Sequence, residues 1–181
     1  MKGTMIPTIR KNSKGIMVFR IILLLLIVFN LSFIWVNSSK VSTDSDKTSK
    51  SIAHSVAKKI VKDFDSLPKD KQDSHVSKLN EKIRSSAHFA EFIPLGILWW
   101  LLFFVLFAPK DRRWYLPLFS LVCSILLSML CALFDEVHQI FVKGRSFELK
   151  DIATDTLGAL FGNSICILVY TMKNIPNLFA R

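Results

Sequence analysis

Apolar residues along this chain are gathered into four long runs, set apart by strongly polar segments. They cover residues 16–36, broken only by Arg20 and Asn30; 89–108, with Glu91 just inside its start; 114–134, with no charge at all; and 152–172, with Asp155 in its first turn. A bilayer core about 30 Å thick asks for roughly 20 apolar residues in a helix, and fewer suffice where flanking side chains snorkel. In lipid each backbone N–H and C=O must be paired within its own segment, so isolated runs of this kind predict helices. The expectation is an all-α integral membrane protein, a four-transmembrane-helix bundle.

The polar stretches have their own pattern. Residues 38–50 are Ser, Thr, Lys and Asp with almost nothing to bury, which predicts a mobile linker without function. Beyond it Ile52, Val56, Ile60 and Phe64 recur at helical spacing opposite Lys58, Lys59 and Lys62, until Leu67-Pro68 ends the pattern. Such an amphipathic helix either packs over the mouth of the bundle, the reading preferred here, or lies on an anionic leaflet or wall polymer. Val76, Leu79 and Ile83 form a second amphipathic piece leading into the second run, so the two can form one long helix. Pro94, inside that run, removes the hydrogen bond to the Ala90 carbonyl and predicts a kink one turn beyond Glu91.

Charge sets the expected orientation. The N-terminus carries Lys2, Arg10, Lys11 and Lys14, and the turn 110–113 is Lys-Asp-Arg-Arg, whereas residues 135–151 are slightly acidic. The positive-inside rule then places both termini in the cytoplasm. The segment 37–87 is rich in lysine, with seven acidic residues among them, but long loops cross largely regardless of charge. The predicted organisation is a basic N-terminus over 1–15, spans over 16–36, 88–108, 114–134 and 152–172, extracytoplasmic segments over 37–87 and 135–151, a cytoplasmic turn over 109–113 and a cytoplasmic C-terminus over 173–181. The first run is longer than a signal-peptide core, and Val36-Asn37-Ser38 is a poor cleavage site, so it is read as a retained span.

Composition sharpens this only a little. The chain is 51% hydrophobic, more than one small soluble domain needs. Its net charge of +10 is scattered over several loops rather than gathered on one face, which argues against nucleic acid as a partner. Cys123, Cys131 and Cys166 all fall in apolar runs, so neither a disulfide framework nor a lipid-modified cysteine is expected.

The topology brings three polar clusters to one membrane boundary. Arg84, His88 and Glu91 are spaced four and three apart, on one helix face. Asp135, Glu136 and Gln139 follow the third run; if its helix continues one turn, Asp135 and Gln139 share a face, and Gly144 permits a turn that returns Arg145. Asp151, Asp155, Gly158 and Gly162 form a stripe that changes from acidic to small, the two glycines letting another helix approach closely. Ionisable groups inside a membrane cost a few kcal/mol and turn inward, so Glu91 and Asp155 should face the other helices. Each residue also has a plainer reading. Arg84 and Arg145 can simply neutralise the carboxylates, His88 can be a hydrogen-bonded structural residue, and Gly144 can be only a turn.

The blocks Arg84-Ser85-Ser86-Ala87-His88-Phe89-Ala90-Glu91-Phe92, then residues 135–145, then Asp151-Ile152-Ala153-Thr154-Asp155-Thr156-Leu157-Gly158, resemble the three signature blocks of the VanZ-like proteins over about 84–170. The chain departs from the family pattern where Ser85 stands for Lys, Phe92 for Tyr and Lys143 for Pro, and Asp155 occupies a position that is Asn or Asp. The resemblance implies a multi-pass protein of a bacterial cytoplasmic membrane, Gram-positive by association. The family is named for a member linked to resistance to teicoplanin, a lipid-tailed glycopeptide that acts at the outer membrane face.

Two functions from different classes follow. In the first, an outward-facing pocket binds a lipid head group, a lipid-linked wall precursor or a lipoglycopeptide. Arg84 and Arg145 then act as anion donors, positioned by Asp135, Asp151 and Asp155, with His88, Glu91, Glu136 and Gln139 completing the lining. In the second, a membrane-embedded enzyme works on a lipid-linked substrate, with His88, Glu91, Asp135 and Glu136 as acid or base. The same groups can hold Mg²⁺ or Mn²⁺, although no compact metal motif is present and no cofactor is assigned. Transport is disfavoured because the polar groups do not continue across the membrane.

Overall fold

The computed structural model describes residues 13–107 and 115–178, all helix and turn. Its elements in order are α1 (Ser13–Ser38), α2 (Ser42–Ile60), a short 3-10 turn (Phe64–Ser66), α3 (Lys69–Phe107), α4 (Leu116–Gln139) and α5 (Leu149–Leu178). Four of these, α1, α3, α4 and α5, are long and apolar enough to cross a membrane. The basic residues Lys2, Arg10 and Lys11 and the cytoplasmic turn expected over 109–113 lie outside the described residues, as do residues 179–181.

The bundle is inverted relative to a water-soluble one. On α4 the buried face carries Ser120, Ser124 and Ser128, all fully enclosed, while Leu118, Val122 and Leu126 face outward. Water would reverse that preference, and lipid does not, because small hydroxyl residues let helices approach while leucine loses nothing in hydrocarbon. With the outward Leu25, Phe29, Phe134 and Leu168 of the neighbouring helices, this makes the chain a membrane protein with several apolar helices.

α3 and α5 form the central pair, α4 packs on both, and α1 lies outside against α3 and α4. The α3–α5 seam is made by glycine. A Cβ on Gly158 would stand 2.2 Å from the Phe89 carbonyl oxygen, one on Gly162 2.2 Å from that of Ile93, and one on Gly96 2.2 Å from that of Ala159. Phe92, Leu95 and Ala159 close the core beside it, joined by Leu23, Ile27 and Ile34 of α1. At one end, Arg20 of α1 donates to the Val105 carbonyl (2.9 Å) and Trp100 to that of Pro117 (3.2 Å). The other end holds the polar clusters.

Two local expectations change and a third holds. The stretch 38–50 is not an unstructured linker: α1 runs to Ser38 and α2 begins at Ser42, with Ser49 buried. Packing of α2 on α3 overrides the weak local signal. The face α2 buries is also rotated from the isoleucine stripe. Ala53 and Ala57 are wholly enclosed and Phe64 is buried, whereas Ile52 and Ile60 are exposed, because alanine admits a close approach to α3 that isoleucine would block. The long helix expected from the second amphipathic piece and the second run does form: α3 is one helix of 39 residues that continues through Pro94. One residue along from the Ala90 carbonyl that this proline leaves without its helical donor, the Asn30 amide of α1 reaches the Glu91 carbonyl at 3.5 Å.

Candidate functional site

The polar end is built from the C-termini of α1 and α4, the N-terminus of α5 and the middle of α3. Helical spacing places Arg84, His88 and Glu91 on one side of α3, and all three line a cavity of about 600 Å³. Opposite stand Asn37, Ser38 and Lys40 at the end of α1, and Thr48, Ser49 and Ile52 of α2. Arg145 enters from the α4–α5 loop. Gly144 makes that possible: its φ of 80° lies where side chains are strained, and the Arg145 N–H then donates to the Val142 carbonyl at 3.0 Å.

Asp135 is the best-tied of the carboxylates. The Ser38 hydroxyl lies 2.5 and 2.6 Å from its two oxygens, and having one proton it donates to either but not both. The Gln139 amide, one turn along α4, donates to Oδ2 at 2.9 Å. Arg145 meets this cluster indirectly. Its Nη1 donates to Gln139 Oε1 at 3.3 Å, and its Nε has no hydrogen-bond partner. The guanidinium is half-buried, and burial first, then the like charge of Arg84, pull its pKa below the ordinary arginine range, with Asp135, Glu136 and Asp151 opposing the shift.

The remaining candidates divide between tasks. Glu91 accepts a hydrogen bond from Asn37 at 2.8 Å, joining α3 to α1. Glu136 does not line the cavity; fully buried, it accepts the Glu148 N–H at 2.7 Å just before α5, satisfying one of the donors that a helix start leaves open. His88 lies between two carboxylates of α5, with Nδ1 3.3 Å from Asp155 Oδ1 and Nε2 4.0 Å from Asp151 Oδ2. Asp155 is completely enclosed beneath it. Asp151, with Arg84, also faces a smaller cavity of about 290 Å³ bordered by Asn80, Glu81 and Lys150. Gly158 and Gly162 sit in the α3–α5 seam below, away from the cavity.

Thus Arg84, His88, Glu91 and Arg145 share one cavity, Asp135, Gln139 and Asp155 lie behind it, and Glu136 is turned to the α5 start. Sequence reasoning missed Asn37 and Ser38, whose signal was a polar pair at the end of an apolar run. It also missed the enclosed column of Ser120, Ser124 and Ser128, which with Asn163 of α5 carries polar groups further down the bundle than expected. Their signal was a four-residue spacing inside the third run. Ser124 donates to the Gly96 carbonyl at 3.1 Å. His138, within the second signature block, belongs elsewhere: it stacks on Trp35 at 3.9 Å and contacts Ser39 Oγ at 3.1 Å.

Comparison with known proteins finds a family for the sequence. The VanZ/LLP1 family model matches residues 17–170, most of the chain, including α1 as well as the three polar blocks. No curated protein and no solved structure matches the chain.

Proposed function

This chain is a membrane protein of the VanZ/LLP1 family, and on that premise we propose that its polar cavity binds the anionic head group of a membrane lipid or lipid-linked wall precursor, or the lipoglycopeptide itself. The observation that carries this reading is the meeting of Arg84 and Arg145, from separate elements, on the wall of one cavity with Lys40 beside them. Arg145 feels the like charge of Arg84 as well as the carboxylates nearby, and an anion between the two guanidiniums would meet both. Their planar forks suit phosphate or carboxylate. At about 600 Å³ the cavity is of head-group size, and Ile52, Ile83 and Ala87 on its wall offer an apolar path for the first methylenes.

In this reading both termini are cytoplasmic, the cavity opens at the outer leaflet of a bacterial cytoplasmic membrane, and occupancy raises tolerance of teicoplanin-type drugs. A cysteine at Ser146, in an otherwise cysteine-free chain, should react with an impermeant thiol reagent in intact cells; reaction only after lysis inverts the orientation.

Calorimetry in detergent tests the binding. Phosphatidylglycerol should bind and phosphatidylcholine should not. Arg145→Lys, which keeps charge but loses the fork, should insert normally and bind about tenfold more weakly, since a charge-assisted hydrogen bond is worth about 1.5–3 kcal/mol. Equal affinity of wild type and Arg145→Lys would remove Arg145 from the site. An Arg145→Gln chain that loses thermal stability in step with binding would make Arg145 a clamp for its buried neighbours instead. In a susceptible Gram-positive host, expression should raise tolerance to teicoplanin more than to vancomycin, and equal shifts would sever the link to lipid-tailed drugs.

A further inference from the structure

The polar end of the bundle gathers more negative than positive charge. Glu91, Asp135, Glu136, Asp151 and Asp155 meet there, against Arg84, Arg145, Lys40 and the imidazole of His88. Most of these acids have donors: Glu91 has Asn37, Asp135 has Ser38 and Gln139, and Glu136 has the Glu148 N–H. Asp155 has none. It is 0% exposed, and neither of its carboxylate oxygens has a hydrogen bond of good geometry. A carboxyl group wholly withdrawn from water either holds its proton or, as a carboxylate, needs a counter-charge with donors or a metal to ligate.

Its surroundings favour the metal. One ligand atom each from His88, Asp135 and Asp155 lies within 4.8 Å of the others. His88 Nδ1 stands 3.3 Å from Asp155 Oδ1, an ion-pair contact without good hydrogen-bond geometry, and two ligands held at about 2.0–2.1 Å on a tetrahedral ion stand roughly that far apart. Groups that orient metal ligands are also in place. On the far side of the imidazole, Nε2 faces Asp151 at 4.0 Å, as the free ring nitrogen of a metal-bound histidine faces a carboxylate, and Asp135 is gripped by Ser38 and Gln139. A bare His88–Asp155 ion pair would leave Asp155 Oδ2 without any partner, which an ion supplies.

We propose that His88, Asp135 and Asp155 hold a divalent transition-metal ion of the Zn²⁺ or Mn²⁺ class, with His88 as the ligand shared with the cavity wall. An imidazole nitrogen among two carboxylates selects against Mg²⁺ and Ca²⁺, which prefer all-oxygen shells, and the absence of thiolate from the cluster selects against soft ions. The site lies at a helix crossing, joining α3, α4 and α5 through one ligand from each. It stands independently of the lipid reading.

The test uses the full chain purified in detergent, stripped with EDTA and dialysed against Zn²⁺ or Co²⁺ with no lipid added. Elemental analysis should find about one equivalent of Zn²⁺ per chain, and Co²⁺ should show the visible ligand-field bands of a nitrogen and oxygen site. Excess Mg²⁺ should displace neither. Asp155→Asn and His88→Gln, both near in shape to the residues they replace, should weaken retention about 10–100-fold or abolish it. Should Asp155→Asn fail to fold, His88→Gln and the Co²⁺ spectrum of the wild type decide. Retention no higher than in the stripped protein, equal retention by wild type and His88→Gln, or a Co²⁺ spectrum matching the aqueous ion overturns the site. A metal result obtained without lipid leaves the lipid calorimetry to succeed or fail on its own.

Discussion

The α3–α5 interface has two halves that are held in opposite ways. In the lower half Gly96, Gly158 and Gly162 let backbone meet backbone, leaving no space for even a methyl group. In the upper half the same two helices meet through His88, Asp151 and Asp155, side chains whose contacts are longer and incompletely satisfied. The lower half supplies position and the upper half supplies chemistry. Gly158 stands only three residues from Asp155, so the depth at which the carboxylate meets the imidazole is set by glycines that carry no charge.

Overfilling the lower half should break the molecule. Gly158→Leu drives a branched side chain into the Phe89 carbonyl and should cost more than about 3 kcal/mol, enough to lose monodisperse protein. Wild-type melting in detergent for that variant would show that the seam does not position the site. A smaller loss is expected in the upper half from Ser38→Ala, which removes a donor from buried Asp135 while leaving the Gln139 amide. A hydrogen bond to a charged group is worth about 1.5–3 kcal/mol, so thermal unfolding should register a clear but survivable drop. An unchanged melting temperature would mean that Gln139 alone satisfies Asp135. Least of all should come from Ser124→Ala. It deletes the hydroxyl that reaches the Gly96 carbonyl, and such bonds between membrane helices average about 0.6 kcal/mol. A loss as large as that of Ser38→Ala would place a further task on the serine column.

The same two halves show what could be read from residues alone. The four long apolar helices were legible because lipid demands uninterrupted length, and that demand is written in consecutive residues. The common face of Arg84, His88 and Glu91, and the return of Arg145 past Gly144, were legible because helical period and positive φ are local properties. What escaped depends on partners distant in the chain. Nothing near Ser38 says that it meets Asp135, because 97 residues separate them. The buried face of α2 escaped because its close fit to α3 favours Ala53 and Ala57, while periodicity weights the larger Ile52 and Ile60. Serines inside an apolar run read as neutral, although here they are the enclosed face of α4. The family match reaches back to residue 17, so α1 belongs to the family region although the signature blocks begin only at Arg84.

The unbroken course of α3 has a mechanical corollary. At 1.5 Å of rise per residue, Arg84, His88 and Glu91 are graduations on one rigid rule, spaced about 6 Å and then about 4.5 Å along its length. Cation, imidazole and carboxylate therefore keep their vertical order unless α3 itself unwinds. Any breathing of the cavity belongs to its other walls, the α1–α2 corner and the short return carrying Arg145, which slide against a scale that does not stretch.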